Sequence, residues 1–64
     1  MASKAQEALL RVGAVVEDRD PRMPGRSGRV VEITRTTIDV DWITGRRTRF
    51  NRQTWGERFR VVTP

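Results

Sequence analysis

Twelve arginines are the main chemical resource of this 64-residue chain, and all but Arg11 and Arg35 fall into two groups. The first lies in "RDPRMPGRSGR", residues 19 to 29, where Arg19, Arg22, Arg26 and Arg29 are spaced along a backbone stiffened by Pro21 and Pro24 and freed to turn at Gly25 and Gly28. Such a loop projects guanidinium groups, which match phosphate and guanine bidentately, with Met23 as an apolar tip for a base or a partner surface. The alternative is a solvated loop whose arginines pair with Glu17, Asp18 and Asp20 beside them. The second group comprises Arg46, Arg47, Arg49, Arg52, Arg58 and Arg60, interleaved with Phe50, Trp55 and Phe59. Cations that follow a backbone and rings that stack on bases are what single-stranded nucleic acid requires. Phe50 and Phe59 serve equally as core, whereas Trp55, in a turn after Arg52, is expected to be partly exposed. Should both groups share one side of the molecule, Arg26, Arg29, Arg52 and Arg58 would form the centre of a patch.

Catalysis finds few parts here. There is no histidine, cysteine or tyrosine, Ser3 and Ser27 have no base nearby, and Lys4 stands on the N-terminal segment. Asp39 and Asp41 point to one strand face and are a conceivable divalent-metal pair, but arginines opposite them make ion pairing the better account. We therefore expect no enzyme activity, no metal and no cofactor. Scarce aromatics also argue against an aromatic cage for methyl-lysine.

Thirteen basic residues against eight acidic give a net charge of +5, which favours anionic partners. Twelve of the thirteen cations being arginine is also what codon bias in a GC-rich genome produces. Sixty-four residues support one small core, without disulfide or zinc reinforcement. No apolar run is long enough to span a membrane and no signal peptide is visible, so a cytoplasmic protein is expected.

The elements that must position these residues follow from turn chemistry and β-branched runs. Residues 1 to 11 are expected to form a helical turn or two, with Ser3 and Gln6 at capping-box spacing, either docking Leu9 and Leu10 or fraying. From residue 12 to 64 five strands are predicted, over 12 to 18, 28 to 34, 37 to 43, 46 to 51 and 58 to 62, with "QTWGE" as a tight turn. So many short strands favour an all-β, closed or nearly closed barrel over an open sheet with bare edges. Register is readable in one hairpin. With Ile43, Thr44 and Gly45 as a three-residue loop, Val40 faces Thr48 and Ile38 faces Phe50 on one side, while Asp41 faces Arg47 and Asp39 faces Arg49 on the other. Trp42, opposite Arg46, closes the hairpin as a lid on the core.

"VGAVVED" and "PGRSGRVVEI" together resemble the KOW motif of ribosomal proteins and transcription elongation factors: Gly13 ahead of Val15, the spacing of Gly25 and Gly28, then Val30 and Ile33. Asp20-Pro21 departs from it, and the loop between the first two strands is longer than usual. The resemblance covers about residues 12 to 41 and implies a five-stranded SH3-like barrel that contacts RNA or docks on ribosomal or transcription components. In general appearance the chain is also similar to short reading frames of actinobacteria and their phages.

Two functions are thus expected in competition. One is a non-catalytic nucleic-acid-binding module, RNA or DNA undecided, that contacts phosphates through Arg22, Arg26, Arg29, Arg46, Arg52 and Arg58 with Trp55 as a stacking ring. The other is a protein-interaction module, a phage or regulatory adaptor docking on RNA polymerase or the ribosome, in which Arg and Trp anchor the interface. A homodimer built on an edge strand is compatible with either.

Overall fold

The computed structural model describes residues 4 to 22 and 25 to 64. Met23, expected as the apolar tip of the loop, and Ser3, expected as a cap, lie outside the described residues, as does Pro24. A short helix α1 (Lys4–Leu9) precedes five strands, β1 (Val15–Asp18), β2 (Ser27–Ile33), β3 (Thr37–Trp42), β4 (Arg47–Asn51) and β5 (Phe59–Thr63), with a 3-10 helix at Trp55–Glu57 before the last. All five form one antiparallel sheet in the order β4-β3-β2-β1-β5. The fold is therefore all-β with a short N-terminal helix, as expected. No helix among the described residues is long and apolar enough to cross a membrane.

The strands form because their side chains alternate between an apolar and a polar face. Val16, Val30, Ile38, Val40, Phe59 and Val61 are 5% exposed or less and point to one side, where each contributes roughly 1.5–3 kcal/mol of burial. The rings of Phe50 on β4 and Phe59 on β5 touch at 5.0 Å although these are the two outermost strands of the order. The sheet must therefore curl until its edges meet, which makes it a nearly closed barrel. Trp42 extends the contact through Phe50 (6.2 Å) and Trp55 through Phe59 (5.0 Å), so all four aromatic rings of the chain form one continuous core.

The β3–β4 hairpin has the expected register, Val40 with Thr48, Ile38 with Phe50, Asp39 with Arg49 and Asp41 with Arg47. Gly45 has φ +90°, a left-handed conformation that suits glycine, and its N–H donates to Trp42 O at 2.8 Å. Gly28 serves a different need. A Cβ there would lie 2.7 Å from Asp41 O and 2.9 Å from Trp42 Cε3, so β2 can cross Trp42 only without a side chain.

Most strand ends differ from expectation by a single residue, and two shifts bear on the site. The first strand begins at Val15 instead of residue 12, because Ala14 N–H donates to Arg11 O at 3.0 Å and closes a turn in front of it. The second begins at Ser27, one residue early, which places Arg26 directly at its head. The N-terminal helix docks. Its Leu9 and the following Leu10 pack on the core, and the side chain of Gln6 engages Val61 of β5.

Candidate nucleic-acid interface

One end of the barrel gathers the loop between β1 and β2, the tip of the β3–β4 hairpin and the residue that leads into β5. The opposite end carries the β2–β3 turn and the end of β4, and the 3-10 helix runs from there toward the loop end, where Glu57 arrives. This division sorts the candidate residues, since Arg22, Arg26, Arg46 and Arg58 belong to the first end and Arg52 and Trp55 to the second. Arg29 belongs to neither. It lies exposed on the outer face of β2, opposite Asp41, whose carboxylate is taken by Arg47 at 2.7 Å.

The loop is built on its own acids. Asp18 Oδ1 accepts the Asp20 N–H at 2.8 Å and Asp20 Oδ1 accepts the Arg22 N–H at 2.9 Å, two successive side-chain turns that hold residues 18 to 22. Arg22 returns to Asp20 with Nε at 3.2 Å and Nη2 at 3.1 Å, which keeps the Asp20 carboxyl below its usual range. Arg26 shares the inward parity of Gly28 and Val30, so it points into the barrel mouth instead of outward. Its guanidinium pairs with Asp18, side chains 17% and 8% exposed respectively, and lies 4.4 Å from the ring centroid of Trp42. Arg26 Nε is buried without an acceptor among the described residues. The expectation of a loop that projects all its arginines is thus corrected for Arg26.

Trp55 requires the other correction. It is 1% exposed, stacked on Phe59, and its indole N–H donates to Glu7 Oε2 at 3.0 Å. A chain with four aromatic rings needs all of them for its core, and none is left as a stacking platform for bases. Arg52, beside it, donates to Thr34 O at 2.9 Å and approaches Glu7 at 3.6 Å, so it braces the far end of the barrel and stands apart from Arg26 and Arg58.

Six of the eight acidic residues are engaged in ion pairs: Asp20 with Arg22, Asp18 with Arg26, Asp41 with Arg47, Asp39 with Arg49, Glu7 with Arg52 and Glu17 with Arg60. Among the described residues, the cations outside any ion pair are Lys4, Arg11, Arg19, Arg29, Arg35, Arg46 and Arg58, against Glu32 and Glu57. The net positive charge is therefore carried by these groups. Three of them, Arg19, Arg46 and Arg58, stand at the loop end.

A cleft of about 410 Å³ opens there between the loop, at Asp18, Arg19, Arg22 and Arg26, and the facing side chains of Thr48, Phe50, Glu57 and Arg58. The Arg58 guanidinium lies 5.9 Å from the Phe50 ring centroid, and Arg19 N–H donates to Arg58 O at 3.0 Å, tying the two walls together. Thr48 was not singled out from the sequence, although its shared parity with Phe50 marks it as inward-facing. No group of three or more metal-ligating side chains occurs among the described residues. Comparison with protein-family models, with curated proteins and with solved structures finds no match.

Proposed function

We propose that this protein is a non-catalytic module that binds nucleic acid through phosphate contacts made at the loop end of the barrel by Arg19, Arg46 and Arg58, with Arg22 on the rim. The observation that carries this reading is the pairing of six carboxylates with other arginines, which leaves these three guanidiniums without ionic partners on one end of the molecule. The resemblance to the KOW motif points the same way. Burial of every aromatic ring removes base stacking from the mechanism, so binding rests on charge and carries little sequence preference. The absence of histidine and cysteine, and the neutralisation of most carboxylates by arginine, support a binding role over a catalytic one.

Fluorescence anisotropy of labelled single- and double-stranded RNA and DNA, titrated at about 50 and about 200 mM salt, tests this directly. Three to four phosphate contacts give a log–log salt slope of about −2.7 to −3.6 on duplex. No binding at the lower salt overturns the proposal. A second reading, docking on a protein, is favoured by Ile43, 78% exposed at the hairpin tip beside a shallow hollow of about 240 Å³ lined by Val15, Gly28 and Trp42. Under that reading Ile43→Asp abolishes partner capture while the arginine variants leave it intact.

A further inference from the structure

The cleft at the loop end is a hollow in which, Glu57 apart, the charged side chains of the lining that lack an ion-pair partner are donors. Thr48 Oγ1 accepts the Trp42 indole N–H at 3.1 Å, so its own hydroxyl proton remains to be donated. Arg19 and Arg58 offer guanidiniums with no carboxylate partner from adjacent walls. Asp18 and Asp20, which also line the cleft, are occupied by Arg26 and Arg22, leaving Glu57 as the one unpaired carboxylate of the lining among the described residues. A volume of about 410 Å³ suits a small ligand or a single terminal nucleotide better than a strand running through.

An acceptor-only group carrying two negative charges satisfies this set of donors, and a phosphate monoester has that chemistry where an internal phosphodiester carries one charge. We propose that the cleft holds a phosphate monoester, either at the end of a nucleic-acid strand or on a free nucleotide. The strand source rests on the nucleic-acid reading above. The site itself does not.

The test compares strands of one sequence, labelled internally, that bear a 5′-phosphate, a 3′-phosphate or hydroxyls at both ends, with a circular strand as control. Amide chemical shifts are followed in parallel with inorganic phosphate, adenosine 5′-monophosphate and adenosine. We expect about tenfold tighter binding of a strand with a terminal phosphate, the worth of one added charge-assisted hydrogen bond. Arg58→Ala and Arg19→Ala remove that preference, Glu57→Gln enhances it, and Arg35→Ala at the opposite end preserves it. Equal affinity for all strands, with no shifts at Thr48 or Arg58 on adding phosphate or the mononucleotide, overturns the inference and leaves the general nucleic-acid reading standing. Shifts with the mononucleotide but not adenosine, without strand binding, support the cleft as a nucleotide site and overturn the nucleic-acid reading instead.

Discussion

The side-chain amide of Gln6 takes the place of a neighbouring strand for Val61. Val61 N–H donates to Gln6 Oε1 at 2.7 Å and Gln6 Nε2 donates to Val61 O at 3.3 Å, so the outer edge of β5 is paired at that residue by a helix side chain. Glu7, the next residue, accepts the Trp55 indole N–H, and a six-residue helix too short to be stable alone is thereby held on the barrel. Gln6→Ala is expected to cost about 1–2 kcal/mol, since it leaves the Val61 groups without their partner. Denaturant unfolding measures the loss, and faster hydrogen exchange at Val61 locates it.

Gly28→Ala should destabilise by about 1–3 kcal/mol, because the new methyl meets the Asp41 carbonyl oxygen and two core side chains at less than 3.0 Å. The backbone oxygen cannot move aside without breaking the β2–β3 register. Gly45→Ala acts by another route, through its positive φ, and meets no neighbouring atom within 4 Å. Chemical shifts of Trp42 and Val40 distinguish the two, moving strongly only in the Gly28 variant.

Trp55→Ala is expected to cost about 3–5 kcal/mol, the range for large aromatic truncations in a core. In a chain of this size that is a large share of the total stability. Thermal unfolding followed by circular dichroism checks it, and a variant as stable as the parent would return Trp55 to the surface.

Asp18→Asn leaves the half-enclosed Arg26 guanidinium without its counter-charge over Trp42. Removing one member of a buried pair typically costs about 3–5 kcal/mol, and this pair, still partly wet at Arg26, should fall near about 3. Arg22→Ala, at a pair whose arginine is 87% exposed, should leave the unfolding midpoint nearly unchanged. The two variants together test whether the loop arginines differ in kind.

Acid should unfold the protein through the outer face of the hairpin. The hydrogen bonds from Arg49 to Asp39 and from Arg47 to Asp41 hold both carboxyls below their ordinary value, as Arg22 does for Asp20. A depressed folded-state pKa means that the unfolded chain binds protons first as pH falls. The stability these pairs contribute is fully present above about pH 4, near the unfolded value for aspartate, and is lost as pH drops through the lower folded values. Denaturant midpoints at pH 7, 4 and 2.5 measure the decline, and the double variant Asp39→Asn, Asp41→Asn should flatten it.

Local rules of alternation and turn geometry were enough, from sequence alone, to determine the five strands and the register of the β3–β4 hairpin. A period of two allows one pairing that keeps Val40, Ile38 and Phe50 together and sets Asp39 and Asp41 against arginines, and Gly45 supplies the turn that this pairing needs. The inward direction of Arg26 was legible in principle from its parity with Gly28 and Val30, once the second strand is seen to begin at Ser27. Three features were decided only by the tertiary structure. The burial of Trp55 depends on Phe59 and on Glu7, which lies 48 residues away. The separation of Arg52 from Arg58 depends on which end of the barrel each reaches, and the docking of α1 depends on the unpaired edge of β5. Each depends on how the curled sheet brings distant segments of the chain together or keeps them apart, which local propensity does not determine.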